Sequence, residues 1–251
     1  MTQNIEHIRL GQRVVGTNPL REQTQWASNI NSQHWRAVSL RMNQPGVTYD
    51  LKFLRPVSWL EATGADVGKP IHMELHEMGL NGPAEVLAID PCPEIEPEDG
   101  TGRNVVTGTM AHPAANILHL DITGLDEPLG VTATHPIWSE TRHDFIQAGQ
   151  LEIGEQFRTL TGESATLTAI HPHRGPPETV FNLEVDAQHV YLVADDGLLV
   201  HNECPFVRFM SADEYAASIS RQGLDVNPIF NVKFKNVADA GSLDPKTLGS
   251  N

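Results

Sequence analysis

The stretch VFNLEVDAQHVYLVADDGLLVHN, residues 180–202, decides which fold class this chain is predicted to adopt. Runs rich in β-branched and aromatic residues flank the turn-forming triplet Asp195-Asp196-Gly197. Within the runs, apolar and polar positions alternate with the period of a half-buried β-strand. The stretch therefore predicts short β-strands joined by tight turns, and the last strand delivers His201 and Asn202, side by side, to its end.

The same pattern extends over most of the chain. Gly, Pro, Asn and Asp separate further runs of this kind, namely VVGTNPL, WRAVSLRM, VTYDLKFLRPVSWLEA, HMELHEMG, AEVLAID, NVVTGTM, NILHLDITG, LGVTATHPIW, GEQFRTLTG and SATLTAIHP. We therefore predict an all-β fold for residues 1–202. The Pro- and acid-rich stretch PCPEIEPEDGTG, residues 91–102, is predicted to be a loop. After residue 202, SADEYAASISRQGL has the N-cap, amphipathic run and closing Gly of a short helix, which indicates a domain boundary there.

Composition excludes several classes of function. The 251 residues carry a net charge of −15, so we expect no basic surface that binds nucleic acid or an anionic membrane. No apolar run approaches the roughly 18 residues of a membrane span, and the first residues lack the pattern of a signal peptide. The two cysteines, Cys92 and Cys204, are too few for a disulfide framework or a four-thiolate zinc site. Localisation stays open between the cytoplasm and export as part of a larger protein.

The pair His201-Asn202 suggests a specific reaction. An asparagine side-chain amide can attack its own backbone carbonyl carbon, form a five-membered succinimide and cut the chain after itself. Because the attack is intramolecular, positioning supplies much of the barrier reduction. The leaving nitrogen must be protonated and the carbonyl oxygen gains charge, and a neighbouring imidazole can serve either need. Cleavage between Asn202 and Glu203 is one hypothesis, and an ordinary capping or turn pair is the other.

A second polar pair ends an earlier predicted strand. In LGVTATHPIW, residues 129–138, Thr132 and His135 are three residues apart and can converge on one atom. The hydroxyl would then donate or accept a hydrogen bond while the imidazole protonates. In isolation, His135 is better explained as a side chain that satisfies a turn carbonyl beside Pro136 and Trp138.

Taken in order, these segments resemble the Hint domain, the fold of hedgehog proteins and inteins, in the variant that precedes toxin modules in bacterial polymorphic toxins. The segments that carry the resemblance are IEHIRLGQRV (5–14), TATHPIW (132–138), AGQLEIGE (148–155), VFNLEVDAQHVY (180–191) and LLVHN (198–202). The resemblance implies a horseshoe of short strands over residues 1–202. A β-rich stretch at about residues 18–104 has no counterpart in the family and is interpreted as an insertion.

The resemblance also implies roles for five residues. Thr132 and His135 would polarise and protonate the peptide bond at an upstream junction. His189 and His201 would assist the cyclisation of Asn202, which would cut the chain. The family's upstream Cys or Ser nucleophile has no match near the start of this sequence, and the residue after the asparagine is Glu where ligation requires Cys, Ser or Thr. We therefore predict cleavage after Asn202 without ligation of the flanking segments.

The segment after Asn202 is the expected intramolecular substrate. The segment 203–251 is too short to fold as a toxin domain without stabilising features such as disulfides or a structural metal. It is interpreted as a truncated toxin-like module. RFMSADEYAASISRQGL weakly resembles the first strand and helix of ADP-ribosyltransferase-like toxins, and no active-site residue is assigned from it. For a full-length toxin, the resemblance implies an immunity protein as a further partner.

Two other functions stay open. The domain could be a catalytically inactive Hint scaffold that links or presents a toxin or effector module, or a secreted β-sandwich that binds partners. The pairs His72/His76 and His171/His173, the latter in a Pro-rich loop, have spacings compatible with metal ligation. No third ligand is evident for either pair, so we predict no metal site and no cofactor. Cys92 lies between two prolines without a nearby base and is predicted to be unreactive.

Overall fold

The computed structural model describes residues 3–75 and 78–202, which form fifteen β-strands, one α-helix and short 3-10 turns. The strands are β1 (Arg13–Val15), β2 (Trp35–Gln44), β3 (Val47–Pro56), β4 (Pro70–Leu75), β5 (Leu80–Pro91), β6 (Arg103–Ala114), β7 (Ile117–Ile122), β8 (Leu129–Thr132), β9 (Pro136–Ser139), β10 (Asp144–Gln147), β11 (Gln156–Arg158), β12 (Ser164–Pro172), β13 (Glu178–Val185), β14 (Val190–Val193) and β15 (Leu198–His201). The helix is α1 (Val57–Thr63). The prediction of an all-β fold is confirmed, whereas the predicted module at residues 203–251 lies outside the described residues.

Strands β2–β5 fall within the predicted insertion and are called the inserted sheet below. They pair antiparallel in the order β3-β2-β5-β4. A two-residue turn joins β2 to β3, and Gly46 supplies the positive φ of 83° that this turn requires. Alternate residues of β2, among them Val38, Leu40 and Met42, are buried and lie in one apolar cluster with residues of β3, β4 and β5.

Strand β6 joins the inserted sheet to the other strands. On one side β6 pairs with β1 and β3, and on the other side it pairs with β13. Gly108 of β6 lies opposite both Phe53 of β3 and Glu184 of β13. A Cβ at Gly108 would lie 2.7 Å from the Cβ of Glu184 and 2.7 Å from Cδ1 of Phe53, so only glycine allows these strands to approach so closely. The inserted sheet is therefore continuous with β13 through β6.

The remaining strands form two smaller antiparallel sheets, in the orders β10-β9-β15-β14 and β11-β12-β7-β8. They enclose a second apolar cluster that includes Leu120, Ile137, Phe157, Leu167 and Leu198. Burial of such side chains is the main stabilising contribution to the fold. Among the described residues, no helix has both the length and the apolar character that crossing a membrane requires.

The sequence prediction fails at the end of β3. VTYDLKFLRPVSWLEA was predicted to be a strand, but β3 ends at Pro56 and α1 follows it. Pro56 lacks the N–H that a continuing strand would donate, yet it fits the position before a first helical turn. Trp59 buries its ring, and Gly64 ends the helix at a φ of 68°, with its N–H directed to the carbonyl oxygens of Leu60 and Glu61.

Two smaller predictions also have outcomes. The loop predicted at residues 91–102 is confirmed over residues 92–102, because β5 ends at Pro91 and β6 begins at Arg103. The loop predicted around His171 is wrong at that residue, which lies near the end of β12 and pairs with His119 of β7. Strand pairing accounts for this extension of β12, because the β7 partner satisfies its backbone groups up to Pro172.

Candidate functional site

Asn202 follows the last residue of β15 and is 1% exposed. The turn at Gly197, where φ is 73°, returns the chain from β14 so that β15 pairs with it and Val190 lies opposite His201. The backbone N–H of Asn202 donates to the carbonyl oxygen of His189 at 2.7 Å. Its side-chain nitrogen Nδ2 donates to the carbonyl oxygen of Leu183 on β13. The main chain and the amide nitrogen of Asn202 are thus both held in fixed positions.

His189 lies in the tight connection between β13 and β14. Its φ of 55° places it in the left-handed region, as does the φ of 65° at Ala187. The side chain is 8% exposed, and neither ring nitrogen has a hydrogen-bond partner among the described residues. Burial lowers the pKa of His189, and His201 lowers it further, while the carboxylates of Glu184 and Asp186 oppose the effect. The ring is therefore neutral at pH 7 and able to exchange a proton.

His201 is 3% exposed and interacts electrostatically with two other imidazoles. Its ring centroid is 4.6 Å from that of Phe145 in β10, at an interplanar angle of 48°. A charge on His201 acts on both His189 and His135, since it lowers the pKa of each. The structure thus brings His201 together with His189 from one neighbouring segment and with His135 from another.

Thr132 and His135 form a tight turn between β8 and β9. The backbone N–H of His135 donates to the carbonyl oxygen of Thr132 at 3.0 Å, and the carbonyl oxygen of His135 accepts the N–H of Ala148 at 2.9 Å. Burial, reinforced by His201, lowers the pKa of His135 to about 4. His135 is consequently neutral over most of the pH range in which proteins are handled, and it can accept or donate one hydrogen bond at each ring nitrogen.

A cleft of about 1150 Å³ opens over Thr132 and His135. Its walls include Gln3 and Asn4, at the beginning of the described chain, and Leu183 of β13. The earliest described residues therefore line the same cleft as the Thr132-x-x-His135 turn. Thr132 and His135 line this cleft, whereas His189, His201 and Asn202 lie together at the end of β15.

Sequence reasoning missed three contributors to this site. The carbonyl of Leu183 is a backbone group that no side-chain pattern marks. Phe145 lies in a segment noted for its resemblance but was assigned no contact. Glu184 forms a buried ion pair with Arg55 of the inserted sheet, with 3.0 Å between Nη1 and Oε1 and 2.9 Å between Nη2 and Oε2. A carboxylate inside the apolar run VFNLEV was the available signal, because a buried carboxylate requires a partner.

Of the histidines considered for metal ligation, His72 is an exposed residue of β4, whereas His171 and His173 have other contacts. Nε2 of His171 lies 3.0 Å from a carboxylate oxygen of Asp121, and Nε2 of His173 lies 2.9 Å from the carbonyl oxygen of Pro176. His76 lies outside the described residues. Within residues 3–75 and 78–202, no group of three or more metal-binding side chains occurs. Burial raises the pKa of the Cys92 thiol, which keeps it protonated and weakly nucleophilic.

Comparison with known proteins gives one family and several structures. Residues 93–203 match the family model described as the pretoxin HINT domain. The chain is similar to a bacterial intein-like domain from Clostridium thermocellum, with 20% identity and a TM-score of 0.37 over 67% of this chain and 98% of that one. It is also similar to the TvoVMA intein, with 12% identity and a TM-score of 0.38 over 66% of this chain and 80% of that one. The gp41-1 intein gives 15% identity and a TM-score of 0.34 over 66% and 98%. No curated protein matches the chain.

Proposed function

Residues 93–203 match the family model described as the pretoxin HINT domain, and from this premise we propose that the chain is an intein-like self-processing domain that cleaves its own peptide bond after Asn202. The observation that carries the proposal is the double attachment of Asn202. Its main chain is held by the His189 carbonyl and its amide nitrogen by the Leu183 carbonyl. A side chain that must attack its own backbone gains most from such fixed geometry.

The proposed reaction is an intramolecular acyl transfer, in which the backbone carbonyl carbon of Asn202 passes from the nitrogen of Glu203 to Nδ2 of Asn202. Nδ2 of Asn202 forms a bond to that carbon, and the bond from the carbon to the Glu203 nitrogen breaks. One proton leaves Nδ2 and one proton reaches the departing nitrogen, so the products are a succinimide at residue 202 and a free amine at residue 203. The hydrogen bond to Leu183 draws a proton of Nδ2 away from the nitrogen, which favours attack by its electron pair.

Two imidazoles at the end of β15 supply proton transfer at the cleaved bond in this proposal. His201 precedes the bond that breaks and is the proposed donor to the departing nitrogen. His189, next to it, is the proposed assistant, because its two ring nitrogens have no competing partner among the described residues. Thr132 and His135 are proposed to act on the side of the cleft lined by Gln3 and Asn4, where they would polarise a carbonyl at an upstream junction.

The released product would be the segment that begins at Glu203. We propose that this segment is a toxin module, that it is the domain's intramolecular substrate, and that Glu203 leaves cleavage without ligation as the outcome. The support is the sequence after Asn202 together with the family's description as a pretoxin domain. A full-length toxin of this kind would have an immunity protein as its partner.

Intact-mass measurement of the purified chain over time tests the cleavage. We expect a fragment that starts at Glu203 and a complementary fragment one water lighter than a hydrolysed product. The Asn202→Ala variant should give neither, whereas Asn43→Ala, which changes an exposed asparagine of β2, should behave as the wild type. If the wild type yields no such fragment, or Asn202→Ala yields the same one, the proposal is wrong and the inactive-scaffold hypothesis replaces it.

A further inference from the structure

Arg55 and Glu184 form a buried ion pair between the inserted sheet and β13. The two side chains are 3% and 4% exposed and form two parallel hydrogen bonds. Nη1 of Arg55 also donates to the carbonyl oxygen of Leu54 at 2.8 Å, and the Thr107 hydroxyl donates to Oε1 of Glu184 at 2.6 Å. The guanidinium carbon lies 4.2 Å from the centroid of the Phe53 ring. Every one of these contacts restricts where Glu184 can be.

A buried ion pair is a costly way to hold two strands together. Desolvation of both charges offsets most of their attraction, and apolar side chains of similar volume often stabilise a fold equally well. What the pair supplies is a defined geometry, because the planar guanidinium accepts a carboxylate in one orientation. The presence of the pair at this boundary therefore indicates that the position of Glu184 matters.

Glu184 lies at the point of β13 where the pairing register with β6 shifts. The register of β13 against β6 shifts between Glu184 and Val185, so the ladder alone does not fix the backbone there. On one side of the shift, the Leu183 carbonyl accepts Nδ2 of Asn202. On the other side, the Val185 carbonyl accepts the N–H of His189 at 3.2 Å. Glu184, which forms the ion pair with Arg55, thus lies between a carbonyl that contacts Asn202 and a carbonyl that contacts His189.

We propose that Arg55 is a positioning residue for the cleavage: through its ion pair with Glu184, the inserted sheet fixes the Leu183 carbonyl and the His189 turn around Asn202. This inference rests on the proposed function for its activity and extends it to a part of the chain that the family match, residues 93–203, does not include. The insertion is then a component of the processing site.

The charges around His189 agree with this geometry. Glu184 and Asp186 raise the pKa of His189, His201 lowers it, and burial lowers it most. A cavity of about 410 Å³ is lined by Arg55, Glu184, Asp186 and His189 together with Trp59 of α1. Arg55 and His189 therefore border one cavity, and a change in the ion pair changes the field at the imidazole.

The first experiment compares the cleavage rate of the folded protein between the wild type and two variants. In Arg55→Met/Glu184→Gln both charges are removed together, so no unpaired buried charge remains. We expect cleavage at least about tenfold slower, because small misplacements of reacting groups cost that much or more. Leu75→Ala is the control, since it removes a buried side chain of β4, at the far side of the inserted sheet, and should lower the melting temperature without slowing cleavage in the remaining folded protein.

A conservative variant covers the case in which the double variant does not fold. Arg55→Lys keeps the charge but loses the two-pronged contact, so we expect it to fold and to cleave at a rate between those of the wild type and the double variant. If Arg55→Lys, or a folded double variant, cleaves as fast as the wild type, Arg55 has no positioning role and the inference is overturned.

The second experiment does not depend on cleavage. In the Asn202→Ala background, the His189 pKa is measured by NMR titration with and without Arg55→Met/Glu184→Gln, or with and without Arg55→Lys. Loss of the Glu184 charge should lower the pKa, and a displaced Glu184 should change it. An unchanged pKa would overturn the link between the ion pair and the His189 turn. A pKa changed by Arg55→Lys, which keeps both charges, in a chain that never cleaves would uphold the link while the proposed function fails.

Discussion

The carbonyl oxygen of His189 accepts the backbone N–H of Asn202 at 2.7 Å, and His189 itself lies at a φ of 55°. A backbone in a conformation that L-residues rarely adopt thus holds the residue at the proposed cleavage point. Such a conformation persists only where the surrounding contacts enforce it, and it often accompanies a functional site. His189 consequently contributes through two separable groups, its carbonyl and its imidazole.

Substitution at residue 189 should distinguish the contribution of the carbonyl from that of the imidazole. Glycine adopts a positive φ without strain, whereas alanine at this position should cost about 1 kcal/mol more. We expect His189→Gly to keep the turn and His189→Ala to melt at a lower temperature than His189→Gly. If the imidazole assists proton transfer, both should cleave about 100-fold more slowly than the wild type. Thermal unfolding and timed mass measurement check the two effects, and wild-type rates in His189→Gly would exclude a role for the ring.

The low pKa of His135 predicts a dependence of stability on pH. Its pKa falls from the ordinary 6.5 to about 4 in the folded chain. Between these values the unfolded chain binds more protons at this residue, so the free energy of unfolding decreases as the pH falls. The loss reaches at most about 3 kcal/mol, since each pKa unit corresponds to about 1.4 kcal/mol. Lowering of the His189 pKa acts in the same direction.

Urea unfolding at about pH 7 and about pH 5 measures this dependence. In the Asn202→Ala background, which should keep the chain intact, His135→Gln should lose less stability between the two pH values than its parent. His171→Gln, which changes an exposed histidine paired with Asp121, is the matched control and should resemble the parent. Equal losses in His135→Gln and the parent would contradict a buried, neutral His135.

Local patterns were sufficient to predict most strands but not every element. In β2 the alternation of buried and exposed residues continues for several positions, and a single strand can be recognised from such a period. The residues of α1 include Val57 and Trp59, which favour strands, so composition pointed away from a helix. Tertiary packing of the Trp59 ring, together with Pro56 and Gly64 at the two ends, decides this segment.

The site could be predicted only where its groups are side chains close in sequence. His201 and Asn202 adjoin each other, and the turn containing Thr132 and His135 is local, so motifs marked them. The acceptor of the Asn202 amide is the main-chain oxygen of Leu183, and because every residue has such an oxygen, the sequence cannot indicate this one. Arg55 and Glu184 are separated by 129 residues, and pairing over that distance follows from the strand order, which one sequence does not contain.

Close packing at Gly108 leads to a prediction that links the inserted sheet to the site. In Gly108→Ala the new methyl group would meet Phe53 and Glu184 at less than 3 Å, so β3 and β13 must separate. We expect a loss of about 1–3 kcal/mol in the free energy of unfolding, together with slower cleavage. Gly130→Ala is the control, because a Cβ there has only ordinary contacts, the nearest at 3.8 Å. Equal stability and equal cleavage in both variants would show that the junction tolerates displacement.

Strand β6 has a consequence for any attempt to reduce this domain to a minimal form. Residues 108–111 pair with β3 through residues 50–53, so deletion of the inserted sheet would expose unpaired backbone N–H and C=O groups along an edge strand. Exposed edges recruit other chains and promote aggregation. The same deletion would remove Arg55 and leave the carboxylate of Glu184 without this partner in an apolar interior. A minimised domain therefore needs a redesigned edge at β6 and a neutral residue 184.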